Sequence, residues 1–259
     1  MGINFHDPSL TSSYASRTAS DEWKTIISPY IAHSGCNVVD IGCGGGIYTK
    51  ALLELGANHV TALDFSETML AAAKENSSAY KNRIRFKKGE ASCTGLPSST
   101  VDIVLERAVI HHLDHLDTPF AEAFRLLKSG GTFIVQDRTP EDCLLPGSPE
   151  HIRGYFFEKE PGLIRQEIKR RFSSDHVQSA LIEAGFSDIK EIKLWETRKK
   201  FTSFQELALD LKSRTGRSIL FELNNERLKE LIRFIEGKLK NEKHIIERDR
   251  WTLWFATHS

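Results

Sequence analysis

The chain has 259 residues, 40% hydrophobic and 27% charged, which suits a folded globular protein with room for one large α/β domain or one carrying an insertion. Lysine plus arginine (35) balance aspartate plus glutamate (35), so no global field would recruit nucleic acid or an anionic membrane. No apolar run reaches the roughly 18 residues of a membrane span. Four scattered cysteines (Cys36, Cys43, Cys93, Cys143) form no Cys-x-x-Cys pair, which favours reduced thiols over a disulfide framework or a zinc site. The opening Met1-Gly2-Ile3-Asn4-Phe5-His6-Asp7 has neither the basic nor the apolar region of a secretory signal, so a cytoplasmic location is expected.

A polar leader over residues 1–19 precedes an amphipathic, helix-like stretch from Ser20 to His33. Asn37 to Ile41 reads as a short buried strand, followed at once by Gly42-Cys43-Gly44-Gly45-Gly46. Helical spacing from Ile47 to Leu55 ends at Gly56, and a second strand runs from His59 to Leu63 and ends at Asp64. Ser66 is a good N-cap for a helix carrying Met69, Leu70 and Ala73. Arg83 to Lys87 and Val101 to Leu105 read as strands three and four. A helix from about Thr118 to Leu127, the pair Gly130-Gly131 and a fifth strand from Thr132 to Gln136 follow. Such alternation implies parallel βαβ units with both sheet faces covered.

Beyond residue 138 the rhythm changes, and Pro140, Pro146, Gly147, Pro149, Pro161 and Gly162 suggest an irregular connection. Ser174 then stands as the N-cap of a helix to Ala184, and Ile189 to Trp195 alternates like a strand near a sheet edge. Helical stretches from Ser203 to Ser213 and Asn224 to Leu239 lead to a final strand, Trp251 to Ala256. The basic runs Lys169-Arg170-Arg171 and Arg198-Lys199-Lys200 read as solvated faces.

Four features converge on one ligand. The glycines lie at a strand-to-helix turn, where a missing Cβ lets a ligand approach the backbone. A dinucleotide pattern would need Gly or Ala at position 47, and Ile47 stands there. The run is instead acidic-x-Gly-x-Gly-x-Gly, with Asp40 leading Gly42, Gly44 and Gly46. A carboxylate at that strand tip suits an ammonium group and is ill placed beside a pyrophosphate. Asp64, at the second strand's end, can accept hydrogen bonds from a ribose diol. Phe65 can pack on an adenine face, and Met69 can line the same pocket. After the third strand, Glu90 can accept from an adenine amino group while the backbone of Ala91 meets a ring nitrogen. After the fourth, Glu106-Arg107-Ala108-Val109-Ile110-His111-His112 should face the pocket, because open parallel sheets bind ligands at the carboxyl ends of their strands.

These motifs, VVDIGCGGGIYTKAL, TALDFSETML, FKKGEAS and ERAVIHHLDHLDTPFAEAFRLLKSGGTFIVQD, resemble those of class I S-adenosylmethionine-dependent methyltransferases of the small-molecule, UbiE-like type. The resemblance spans roughly residues 36 to 138. It implies a doubly wound, seven-stranded, mostly parallel sheet in an α/β fold. The seventh strand would be antiparallel at the sheet edge, a role for Trp251 to Ala256, with a helical insertion before it. One domain over 1–259 would then have its core at about 20–138, 173–200 and 248–259, with variable segments at 1–19, 139–172 and 203–240. The resemblance also implies that S-adenosylmethionine is the cofactor and S-adenosylhomocysteine its product. The glycine loop and Asp40 would hold the methionyl part, Asp64 the ribose hydroxyls, and Glu90 and Ala91 the adenine, with Arg107 also among the cofactor-binding residues. The family more often has Asp where Glu90 stands. Tyr14 and Arg17 would close over the cofactor, Arg17 pairing with its carboxylate.

Methyl transfer needs in-line positioning and, for some acceptors, removal of a proton. His111 or His112 is placed for that task, although a histidine there can equally cap a turn through its ring nitrogens. His111 and His115 are spaced like two metal ligands on a helix, but the segment reads as loop, so no metal is expected. No Asn/Asp-Pro-Pro-Tyr/Phe run follows the fourth strand and no Pro-Cys nucleophile occurs, which argues against nucleic-acid bases as acceptors. A small-molecule acceptor is expected, with no nucleic-acid or membrane partner and a monomer or homodimer. Two other classes stay open: a non-catalytic S-adenosylmethionine-binding module, and a nicotinamide-dependent oxidoreductase that Ile47 and Asp40 disfavour.

Overall fold

The structure is a computed structural model that describes residues 18–31, 35–214, 216–242 and 244–259. Its elements, in chain order, are α1 (Asp21–Ile31), β1 (Asn37–Ile41), α2 (Ile47–Glu54), β2 (His59–Asp64), α3 (Glu67–Asn76), β3 (Ile84–Lys88), β4 (Val101–Arg107), α4 (Asp117–Leu126), β5 (Leu127–Asp137), α5 (Pro140–Cys143), α6 (Ile152–Lys159), α7 (Gly162–Lys169), α8 (Ser174–Glu183), β6 (Phe186–Phe201), α9 (Phe204–Ser213), α10 (Asn225–Leu239) and β7 (Ile245–His258). Seven strands form one sheet in the order β3-β2-β1-β4-β5-β7-β6. Strands β1 to β5 pair in parallel, and β7 pairs antiparallel with β5. The doubly wound α/β expectation therefore holds. Strand β7 is antiparallel as expected but lies inside the sheet, and the edge belongs to β6.

The chain divides into two compact units. One holds the described residues up to Asp137 together with Ser174–Leu194 and Thr252–Ser259, and the other holds the described residues of Arg138–Ser173 and Trp195–Trp251. In the first unit the central parallel strands β1 and β4 are buried on both faces, so Val38, Val39 and Ile41 of β1 and Ile103, Val104 and Leu105 of β4 are all core. Ser66 caps α3 as expected, its hydroxyl accepting from the backbone of Met69. Ser174 does not act as a cap. It is the first helical residue of α8, and its hydroxyl accepts from the Trp254 indole at 3.0 Å and donates to Glu191. The cap expectation failed because a distant strand competes for that hydroxyl.

The second unit corrects two further expectations. The connection after residue 138 contains α6 and α7, whose Ile152, Phe156 and Leu163 join Leu207, Leu231 and Ile235 of α9 and α10 in an apolar core. The runs expected to be solvated keep their lysines exposed but draw Arg171 and Arg198 into half-buried positions. Arg171 reaches Glu167 at 3.1 Å, and Arg198 reaches Glu247 at 2.8 Å and Asp210 at 3.1 Å. Arg217, 1% exposed, joins the same carboxylates. Buried arginines tolerate such a place only when paired, and acidic residues far along the chain supply that pairing here.

Candidate functional site

The tips of β1, β2, β4 and β5 carry the polar groups of the first unit. The turn after β1 is built around positive φ angles at Gly42 (71°), Gly44 (50°) and Gly46 (81°), and the three glycines do different work. A Cβ on Gly42 would meet Val109 Cγ2 at 2.4 Å, and one on Gly46 would touch Ala73 of α3 at 3.0 Å. Those two permit close packing between elements. A Cβ on Gly44 would meet nothing within 4 Å, so of these three it is Gly44 that combines a left-handed backbone with open space above it. Replacing Gly42 by alanine should cost a few kcal/mol of stability, from the left-handed strain of about 1–2 kcal/mol plus the clash with Val109. Thermal unfolding of the variant checks this, and an unchanged midpoint would show that Val109 gives way freely.

Asp64 fixes the loop. Its Oδ2 accepts from the Gly44 backbone N–H and its Oδ1 from that of Ser66, both at 2.9 Å, so one carboxylate ties the glycine turn to the start of α3. Burial pushes its carboxyl up, against the lowering effect of these backbone donors. A carboxylate offers about four lone-pair sites, so Asp64 can accept from a diol as well as from these backbone donors. Asp40 is 2% exposed and accepts from Thr49 Oγ1 of α2 at 2.5 Å. Burial pushes its carboxyl up to about 7, with Thr49 and Arg107 opposing and Asp64 adding to the rise. An acid held so far from water gains most from a positive ligand, which returns it to the charged form. The same burial pushes the Cys43 thiol up, so it is no nucleophile.

Side chains alternate across a strand, so Asp40, Arg107 and Gln136 share one sheet face while Glu106 and Asp137 share the other. On the first face the Arg107 guanidinium stacks 3.9 Å from the Tyr48 ring centroid, Tyr48 packs edge-on against Trp23, and the Trp23 indole donates to Gln136 at 2.8 Å. On the second face the imidazole of His111 meets Asp137. Nδ1 lies 2.8 Å from Oδ2 and 3.0 Å from Oδ1, and the His111 backbone N–H donates to Oδ2 at 3.3 Å. Asp137 is 1% exposed, and as an ionised acceptor it requires the proton on Nδ1, which makes Nε2 the basic nitrogen. The exposed His112 ring lies 3.9 Å from that of His111. Ala108, just before this turn, holds φ at +56°, a conformation costly for a residue with a Cβ.

Other expected residues fall around this tip. Phe65 is 47% exposed beside Asp64, whereas Met69 is buried in α3. Glu90 and Ala91 follow β3, where the Cys93 N–H donates back to the Glu90 carbonyl at 3.1 Å. Tyr14 and Arg17 lie outside the described residues. His115 pairs with Asp117 at 2.6 Å while His111 is committed to Asp137, so the two rings serve different carboxylates. Among the described residues no group of three or more His, Cys, Asp or Glu gathers as a metal site. Sequence reasoning missed Asp137, Gln136, Trp23 and Thr49. Asp137 alone had a signal, as the first polar residue past the strand expected to end at Gln136.

Residues 39–135 match the family model described as a methyltransferase domain. Phosphoethanolamine N-methyltransferase 1 of Zea mays is 24% identical over 257 residues, covering 99% of this chain and 48% of that protein. The chain spans about half the length of that relative and of its Triticum aestivum counterpart. Among solved structures, a candidate methyltransferase from an antibiotic biosynthesis pathway of Anabaena variabilis superposes with a TM-score of 0.69 at 19% identity, over 92% of this chain and 98% of that one. Phosphoethanolamine N-methyltransferase 2 of Haemonchus contortus, in complex with S-adenosyl-L-methionine, superposes at 0.61 and 18% identity, over 98% of this chain and 60% of that one.

Proposed function

We propose, from the class I methyltransferase domain that the chain carries over residues 39–135, that it binds S-adenosylmethionine and transfers the methyl group to a small-molecule acceptor. The carrying observation is the Asp64 carboxylate holding the open Gly44 turn beside buried Asp40, in the same unit as the His111–Asp137 pair. The cofactor's sulfonium supplies an electrophilic methyl group. Asp40 faces the ammonium of the methionyl part, Asp64 the ribose hydroxyls and Phe65 the adenine. Where the acceptor loses a proton as the new bond forms, His111 Nε2 takes it and Asp137 stabilises the resulting imidazolium. Acceptor recognition is assigned to 139–172 and 203–240. The Zea mays relative is named for phosphoethanolamine, which makes amino alcohols and their phosphate esters the first acceptors to screen.

No helix among the described residues is long and apolar enough to cross a membrane. The four cysteines are unpaired, which supports a reducing compartment such as the cytoplasm. A monomer or homodimer without nucleic acid remains the proposed state.

Calorimetric titration with S-adenosylmethionine, S-adenosylhomocysteine and NAD tests the reading. Both adenosyl ligands should bind and NAD should not. The affinity should also depend on pH in a definite sense. Asp40 is protonated below about 7 in the ligand-free protein, and the ligand's ammonium favours the carboxylate, so binding releases a proton. Affinity should therefore rise about tenfold between pH 6 and 7.5 and then level off. Asp40→Asn should bind weakly at every pH and lose that slope. Absence of binding by either adenosyl ligand would overturn the proposed cofactor. Binding with no slope would remove Asp40 from it.

A further inference from the structure

Glu106 is the last buried residue of β4 and is 0% exposed. Neither carboxyl oxygen meets a hydrogen-bond donor among the described residues. An ionised carboxylate in that position would be strongly destabilised, because burial removes water and nothing replaces it. We propose that Glu106 is a positioning residue: it keeps a proton beside Asp137, so that the two carboxyls carry one negative charge, which Asp137 holds against the ring of His111. The role rests on the His111–Asp137 assignment above.

Glu106 pairs in register with Ile41 of β1 and Val135 of β5, and Asp137 lies two residues beyond Val135 on the same face. The flanking strands thus offer Glu106 one apolar neighbour on each side and a single charge, that of Asp137. From the turn after β4, His111 faces Asp137, and His112 packs on His111. Arg107 points to the opposite face, where it stacks on Tyr48. Burial first, and the Asp137 charge second, push the Glu106 carboxyl up to about 8. Asp137 wins the charge because it has donors: the imidazole and the His111 backbone N–H. Two carboxylates side by side would hold the imidazolium more tightly and make His111 slower to give its proton up. A neutral Glu106 leaves Asp137 to orient the ring without that excess charge.

The test is a pH titration of the intact chain labelled with 13C at the glutamate side-chain carboxyls, read by NMR together with the His111 ring signals. One glutamate carboxyl should remain protonated at pH 7, titrate near 8 and be missing in Glu106→Gln. The His111 ring signals should move through the same titration in the wild type and lose that inflection in Glu106→Gln. In Asp137→Asn the Glu106 titration should fall by about one pH unit or more, because the like charge is gone. A Glu106 carboxyl already ionised at pH 6, or a His111 inflection near 8 that survives Glu106→Gln, would overturn the proposal. Calorimetry of the wild type with S-adenosylmethionine, run alongside, reports separately on the cofactor reading. Its failure would leave the proton assignment standing without its catalytic meaning.

Discussion

Replacing Asp64 by alanine is expected to lower the affinity for S-adenosylmethionine by at least about 100-fold, the largest effect of any single change in the proposed cofactor site. The carboxylate holds two backbone N–H groups at 2.9 Å, one in the glycine turn and one at the start of α3. Removing it leaves both donors unsatisfied beside a buried position, at roughly 1–3 kcal/mol each. It also removes charge-assisted acceptors from a ribose diol, each contributing about 1.5–3 kcal/mol. The open turn at Gly44 then loses the anchor that pre-organises it, so ordering it becomes part of the cost of binding. Asp64→Asn sharpens the test. It keeps the volume but turns an NH2 group toward one of the backbone donors, so its affinity should resemble that of the alanine variant. Calorimetry measures the affinity and thermal unfolding measures the stability. If Asp64→Asn binds within threefold of the wild type, the diol does not sit on this carboxylate.

The same carboxylate shows where sequence reasoning reaches and where it stops. Strand β1 has the bounds expected from its apolar run, and β2 ends at Asp64 as read, because buried parallel strands announce themselves locally. The glycine turn and both strand-tip acids were legible for the same reason. Strand β5 was expected to start at Thr132, after Gly130-Gly131, yet it begins at Leu127 and runs through both glycines. Pairing of β4 and β5 on both sides of an irregularity between Val101 and Ile103 overrides the local break. What the sequence hid were long-range polar partners. His111 meets Asp137 across 26 residues, and Trp23 meets Gln136 across 113. Arg198 is drawn inward by Glu247, 49 residues away, so one arginine of a run that looks solvated is half-buried while Lys199 and Lys200 stay exposed. No period or propensity encodes such pairs; each exists because the fold leaves a buried polar atom needing a counterpart.

Asp137→Asn is expected to lower turnover by about 10²–10⁴ while S-adenosylmethionine binds within twofold of the wild type, with the acceptor that a screen of amino alcohols or other small nucleophiles yields. The carboxylate lies against His111 Nδ1 at 2.8 Å and is almost fully buried, so it fixes which ring nitrogen carries the proton. An asparagine there can donate to Nδ1, which drives the proton to Nε2 and leaves the ring unable to accept one from the acceptor. His111→Gln should match the asparagine variant, since either change removes the same base. The double variant should be no worse than either single one, because groups that act as a unit are not additive. His112→Ala, which removes a ring packed on that of His111, should cost less than tenfold. Production of S-adenosylhomocysteine gives the rates. If Asp137→Asn and His111→Gln both retain more than a tenth of wild-type turnover, the acceptor needs no base. Catalysis would then reduce to in-line positioning, which the sulfonium's own reactivity permits.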